Sequence, residues 1–525
     1  MNTGNQRNNL FVISTFCTVL IAAGCGPDFS TDASAAPSTS PSDSTAATAE
    51  SQPKSSPATD LLISGDLSSV NWESLVGKQV TVEGELVIVD TYDLARRGQV
   101  KVARSPLYIP TSRIDPNDAD PNGTSFEGGS NVAKVIAAQK FNDNATITLD
   151  DGSAEQNLFP PGLFPQLGQS HPTVRVGSVV KRVSGRIVKA GNNLLLVVDK
   201  PLQWTPAERP ARPAVGGADL TVASFNVLNY FSTIDNGRNN ARGADSASEF
   251  ARQEAKIVAA ISELDADVIG LMELENNIQA EQQLVAALNQ AIGKQVFKGC
   301  GLPAGFRDAP GGSDSIRVGI IYRADRVMAT DSISMIRNNA FSMARTPLVQ
   351  SFRSIEGGKP FTVVVNHFKS KGGASDADAA NKNKGDGQSA FNAARRSQAL
   401  AIAKYINALG QNARVLVIGD LNAYEQEDPI DALRANGMVE LNEKFGTDSG
   451  QANYSYVYFG QRGSLDHALA TASLAADVTG IATWHINADE PRFLDYNEEF
   501  NPIELFQDDP FRSSDHDPVL IGIRK

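Results

Sequence analysis

From about residue 217 onward, short apolar runs alternate with longer stretches in which apolar residues recur every three or four positions. Nearly continuous apolar runs suit strands buried on both faces, whereas the longer repeat is the stripe of an amphipathic helix. The pattern predicts strands over Leu220–Asn226, Asp267–Met272, Arg317–Tyr322, Phe361–Asn366, Arg414–Gly419, Leu465–Ala470 and Pro518–Ile523. It predicts helices over Ala247–Glu263, Ala280–Ala291 and Asn392–Leu409, the first opened by Ser246 with Glu249 three residues on, the spacing of a capping box. Strands alternating with helices imply a layered α/β domain over 217–525.

The pattern before it differs. Over 61–207 short β-like runs, such as Val80–Val89, Val174–Val188 and Asn193–Val198, sit between turn-rich pieces, among them Asp150-Asp151-Gly152 and Ala190-Gly191-Asn192-Asn193. Many short strands and few helical stretches predict a small β-barrel. Tyr92, Arg96, Arg97, Tyr108 and Arg113 are its few candidates for stacking on or neutralising a nucleic acid, and the alternative is a structural spacer. His171, in a Pro- and Gly-rich loop without acidic or cysteine neighbours, is expected to be exposed.

Residues 1–24 have the layout of an export signal: Arg7 and the amino terminus, a largely apolar Leu10–Ala23, then small residues before Cys25. The apolar stretch is shorter than the ~20 residues of a membrane span. Small residues followed by cysteine resemble a bacterial lipoprotein cleavage site, which would make Cys25 a lipidated first residue. Gly26 in place of Asp implies the outer membrane. The alternative is an ordinary secretory leader, periplasmic or secreted, and both readings export the chain. Residues 25–60, rich in Ser, Thr, Ala and Pro, read as a disordered tether.

Charge and cysteine content narrow the picture. A net charge of −13 argues against holding nucleic acid by bulk attraction, but not against meeting phosphate through a metal ion. Local basic groups remain at Lys369 and Lys371, Lys382 and Lys384, and Arg395 and Arg396, with a solvated face as the alternative. Of three cysteines only Cys300 lies in the folded body, so that body has no internal disulfide. No P-loop, paired CxxC or HExxH occurs, which disfavours ATPase, thiolate-zinc and zincin readings.

The polar residues at the strand ends carry the chemistry. Asn226, Glu273, His367, Asp420 with Asn422, Asp466, and Asp515-His516-Asp517 each close or adjoin a predicted strand. A layered fold can gather such positions into one cleft. Carboxylates are the hard oxygen ligands Mg²⁺ prefers, an Asn can donate to a phosphate oxygen, and a His beside an Asp can take a proton from water. His467 should face away from Asp466 and is read as structural. His485 is read as packing or surface without partners, Asp517 as a turn residue, and Glu275 as a supporting or exposed group. Gly372–Gln388 is read as a mobile surface loop beside the cleft.

Taken in order, Ser224–Asn229, Ile269–Asn276, Val365–Lys371, Gly419–Ala423, Gly463–Leu469 and Ser514–Pro518 resemble the motifs of the endonuclease/exonuclease/phosphatase (DNase I-like) superfamily. Val87–Ser105, Leu107–Thr111 and Asp150–Ser153 resemble the OB-fold-like domain that precedes the catalytic domain in extracellular nucleases of the ExeM/NucH kind. The resemblance implies a four-layer α-β-β-α sandwich and a divalent metal, Mg²⁺ first, with Mn²⁺ or added Ca²⁺ as alternatives. It implies a metal site at Asn226, Glu273 and Asp515, His516 as general base oriented by Asp466, and His367 as acid or phosphate contact. Asp420 and Asn422 would position nucleophile and phosphate, and Arg345 would contact phosphate. The implied substrate is DNA or RNA. A lipid or other small phosphodiester is the alternative, and a non-catalytic binding protein on the same fold is a third reading.

Overall fold

The computed structural model describes residues 61–525 except 119, 121–122, 126–127, 170–172, 447–452 and 500. The leader, Cys25, the tether and His171 lie outside the described residues. Among the described residues no helix is long and apolar enough to cross a membrane.

In the first part, five strands hydrogen-bond in a ring: β1 (Gln79–Asp90), β2 (Gln99–Ala103), β3 (Thr146–Asp150), β4 (Val179–Ala190) and β5 (Asn193–Val198). The order is β1-β2-β3-β5-β4, with β3 and β5 parallel, and pairing of β1 with β4 closes the barrel. Val80, Val82, Leu86, Val102, Leu149 and Leu196 point inward to its core. A helix the pattern did not predict, α1 (Val132–Asn144), lies between β2 and β3. Its turns carry apolar and polar residues in no helical stripe, so periodicity gave no signal.

The second part holds two six-stranded paths. The first sheet runs from an edge at Phe297–Gly299 through β8 (Ile316–Arg323), β7 (Val268–Glu275), β6 (Leu220–Tyr230), β14 (Val519–Ile523) and β13 (Val478–Thr483). The second runs from Val327–Ala329 through β9 (Leu348–Ser354), β10 (Phe361–His367), β11 (Val415–Asp420) and β12 (Asp466–Thr471) to Met438–Glu440.

Alternate residues of each strand serve two cores. Leu416 and Ile418 of β11 join Val222 of β6 and Ile521 of β14 between the sheets. Val415 and Val417 instead pack outward with α4 (Asn392–Ala408) and α5 (Asp428–Ala435). Ala223, Phe225 and Leu520 pack outward against α2 (Ala247–Leu264) and α3 (Ile278–Ile292). Burial on both faces is why these strands read as unbroken apolar runs, and the result is four layers, α-β-β-α. Gly270 lets the sheets approach, since a Cβ there would stand 2.7 Å from Ile418 Cδ1 and 2.8 Å from Val365 Cγ2.

Candidate active site

Every strand that carries a candidate residue delivers it to the same end of the two sheets. In β6 and β7 the delivery uses irregular backbone. Asn226 Oδ1 accepts from Leu228 N at 3.0 Å, and Leu228 and Asn229 both have φ of 50°. Opposite them the register of β7 shifts between Met272 and Leu274, and Glu273 has φ of 66°. Non-glycine residues at positive φ cost about 1 kcal/mol or more each and persist where the surroundings over-determine them. Here Asn229 N donates to Glu273 Oε2 at 3.0 Å and Asn226 Nδ2 to Glu273 Oε1 at 3.3 Å, so the two bulges hold each other.

In the second sheet, Gly419 has φ of 136° and a Cβ there would overlap the carbonyl of Asn366, so only glycine fits before Asp420. Asp420 Oδ1 then accepts from Asn422 N at 2.8 Å, and Asn422 Nδ2 donates to Phe368 O at 3.3 Å. His367 ends β10, with Nε2 3.4 Å from Asp420 Oδ2 and 3.9 Å from Glu273 Oε1. Asn226 Nδ2 reaches the same Asp420 oxygen at 3.5 Å, joining the two sheets.

His516 sits on the loop before β14. Its Nδ1 lies 2.7 Å from Asp466 Oδ2, which also accepts from Ser455 Oγ at 2.6 Å. Tyr456 tilts against its ring at 4.7 Å. With Nδ1 engaged by a carboxylate, Nε2 is the nitrogen left to exchange a proton.

The electrostatics are those of crowded, buried acids. Burial pushes Glu273 up, and Asp515 adds to the rise against Arg345 and His516. Burial with Asp466 and Glu273 raises Asp420 to about 7, opposed by His516. Burial, Arg345, His516 and Lys369 hold His367 well below the usual imidazole range. For His516 burial works downward, but Asp466, Asp515 and Asp420 outweigh it and hold the ring well above that range.

Buried carboxylates that raise one another are short of a counter-cation. Two atoms at the site, Asp466 Oδ1 and His367 Nδ1, are buried without a hydrogen-bond partner among the described residues. The carboxylates of Glu273 and Asp515 fit a hard divalent ion, and Asn226, whose Nδ2 faces Glu273 and Asp420, would offer its oxygen to that ion with the amide turned over. A separate group, Asp245, Glu249 and Glu499, brings three carboxylates within 4.8 Å of one another at the start of α2.

The structure thus brings Asn226, Glu273, His367, Asp420, Asn422, Asp466 and His516 to one place, with the charges of Asp515 and Arg345 felt there. Arg345 Nη1 donates to Phe368 O at 3.2 Å and Nε lies 3.5 Å from Asp314 Oδ2. His467 is buried, with Nε2 2.8 Å from Ala423 O. Glu275 accepts from Ser232 Oγ at 2.9 Å and Thr233 N at 3.0 Å.

Other expectations need correction. His485 has partners: its Nδ1 lies 2.9 Å from Asp517 Oδ2 and its ring stacks on Tyr454 at 4.0 Å. Asp517 is no mere turn residue, since its Oδ1 accepts from Asn487 N at 2.7 Å and Ala488 N at 3.0 Å. Lys371 and Arg395 are internal. Lys371 Nζ donates to Glu427 Oε2 at 2.5 Å and Arg395 Nη2 to Gln388 O at 2.7 Å. Those bonds, with Gln388 Oε1 accepting from Asp428 N at 2.8 Å, anchor the end of the Gly372–Gln388 loop that was expected to be mobile. Ser455, Tyr456 and Asn487 were not singled out. Only the aromatic cluster Tyr454–Phe459 offered a local signal.

No curated protein matches the chain. Solved structures with similar backbones include an endonuclease/exonuclease/phosphatase family protein from Bacteroides thetaiotaomicron, 16% identical over 57% of this chain and 96% of that one, at a TM-score of 0.37. The human Nocturnin catalytic domain with bound sulfate anion is 14% identical over 57% and 93%, at 0.37. D. rerio TDP2 complexed with single strand DNA product is 15% identical over 57% and 97%, at 0.36. The sequence model of the Endonuclease/Exonuclease/phosphatase family matches residues 223–516, more than half of the chain and all the site residues named above, and the chain belongs to that family.

Proposed function

We propose that the chain is an exported, metal-dependent endonuclease that hydrolyses the phosphodiester bonds of extracellular DNA or RNA. Members of the family are hydrolases acting on phosphoester bonds, and they generally use divalent metals. The observation that carries the reading is the His516–Asp466 pair, at 2.7 Å, set among Asp420, Glu273 and His367 where both sheets end.

In this reading Asp466 holds the proton on His516 Nδ1, leaving Nε2 to take one from water. Asp420 and Asn422 orient the water and the scissile phosphate. His367, kept neutral by burial and nearby cations, contacts the phosphate through a ring N–H; it could act as the acid toward the leaving oxygen only after first taking up a proton. Asn226, Glu273 and Asp515 are the residues that would hold the ion, Mg²⁺ in the first instance, with Mn²⁺ or added Ca²⁺ as alternatives. A divalent cation there would neutralise phosphate charge and, by cancelling the field of the carboxylates, let His516 give up its proton.

The barrel's strand order, with its parallel β3–β5 pair, supports reading it as OB-like. The leader and Cys25 support an outer-membrane lipid anchor. The test is incubation of the protein with supercoiled plasmid and Mg²⁺, with and without EDTA. Nicking that EDTA abolishes is expected. No nicking with Mg²⁺, Mn²⁺ or Ca²⁺ would move the reading to a lipid or other small phosphodiester.

A further inference from the structure

We infer that the barrel is a working part of the catalytic site, and that Arg175 is the positioning residue through which it sets His516. The inference rests on His516 being the base.

Arg175 leaves the barrel just before β4 and is buried, 2% exposed, against the second domain. Its Nη2 donates to His485 O at 2.8 Å and lies 3.4 Å from Asp489 Oδ2, while Nη1 lies 3.1 Å from Glu490 Oε1. Its neighbours add to the grip: Thr173 Oγ1 donates to Glu490 Oε2 at 2.7 Å and Val176 N to Asp489 O at 2.9 Å. The far side of this clamped segment faces the site. Asn487 Nδ2 donates to His516 O at 2.7 Å, and Asn487 Oδ1 accepts from Ser513 N at 2.8 Å and Ser514 N at 3.2 Å. One side chain, Asn487, thus fixes the backbone on which His516 is mounted, and the barrel fixes the segment that carries Asn487.

A second route reaches Asp466, the partner of His516. The barrel segment Leu107–Tyr108 pairs in parallel with Gln461–Arg462 as the outer strand of a small sheet. Ile109 N donates to Arg462 O at 2.9 Å, and Asn142 Nδ2 of α1 to Gln461 Oε1 at 2.6 Å. Gln461–Gly463 pairs with Tyr456–Tyr458, just before which Ser455 donates to Asp466. Asp489 links the routes, accepting from Tyr454 Oη at 2.8 Å and lying 3.5 Å from Arg462 Nη2.

Buried ion pairs add little net stability over apolar replacements, so a buried Arg with two carboxylates is better explained by geometry than by stability. Nη2 donates to both His485 O and Asp489, and Nη1 adds an ion-pair contact with Glu490. A lysine ammonium keeps the charge but, on its shorter and unforked stem, does not set its donors at those separated positions.

The experiment compares the full-length wild type, Arg175→Lys and Arg175→Met, each also in a His516→Ala background. The probes are bis(p-nitrophenyl) phosphate and supercoiled plasmid in Mg²⁺, with thermal melts as the control for folding. We expect kcat on the small phosphodiester to fall about tenfold or more with KM little changed, because misplacing a base by a fraction of an ångström slows chemistry more than binding. Lysine should recover part of what methionine loses. In the His516→Ala background neither change should cost further activity. Wild-type kcat in either folded variant, or losses that multiply with His516→Ala, would overturn the inference. If Arg175→Met does not fold, Arg175→Lys, which keeps a cation in the buried site, decides alone. Wild-type activity in His516→Ala itself, or no turnover by the wild type, would instead sink the functional reading and this inference with it.

Discussion

His516 and His485 each present Nδ1 to an aspartate, at 2.7 Å to Asp466 and 2.9 Å to Asp517, and each ring lies against a tyrosine, Tyr456 or Tyr454. Their surroundings differ. Asp517 gives its other oxygen to two backbone N–H groups, so the pair ties the loop at 485–488 to the strand entry at 517. Asp466 keeps Oδ1 without a hydrogen-bond partner among the described residues, and its histidine feels Asp515 and Asp420. A His–Asp pair is therefore only an orienting device. It becomes chemistry where the free nitrogen meets groups that can hold phosphate and water, and it becomes a brace where the aspartate's other oxygen is engaged with the backbone.

The largest expected effect is His516→Ala, which should lower kcat for plasmid nicking by about 10³-fold, the middle of the range for losing a general base. Asp466→Asn should follow, at about 10²-fold or more, because the wrong tautomer then faces the water; single-turnover kinetics would read it. Asp517→Ala should act on stability instead. It strands two buried N–H groups and the His485 ring, at a cost of about 2–4 kcal/mol in urea unfolding, with a far smaller loss in kcat. The smallest effect belongs to His485→Ala: about 1 kcal/mol in the same unfolding experiment and turnover of wild-type order. Equal loss of kcat in His485→Ala and His516→Ala would erase the distinction.

The central strands were legible because burial on both faces writes itself as apolar runs, as in Val415–Gly419 and Pro518–Ile523. Helix ends were nearly so: Ala247–Glu263 was expected and Ala247–Leu264 is found. Ser246 Oγ accepts from Glu249 N as a cap should, but the Glu249 side chain turns to Asp245 N and Glu498 N rather than closing the box. β9 and β13 were missed. Gln350 and Ser351 interrupt the first, and Thr479 and Gly480 the second, so neither shows an apolar run. β6 and β7 were drawn too short because their bulges place polar residues, Asn229 and Glu273, inside the strand.

The site itself was legible as residue types at strand ends. What was not legible is who supports whom. Asp517 meets His485 across 32 residues, and Arg175 meets Asp489 across 314, contacts that no local pattern records. Lys371 and Arg395 show the same limit in reverse, since charged residues beside a cleft motif proved to be internal fasteners.

The most direct test places His516→Ala and His485→Ala beside the wild type on supercoiled plasmid with Mg²⁺. Metal-dependent nicking is expected from the wild type and His485→Ala, with near-complete loss in a folded His516→Ala. Undiminished nicking by His516→Ala would contradict the role of His516 as the base, because the proton would then have to leave the water by another route than the His516–Asp466 pair.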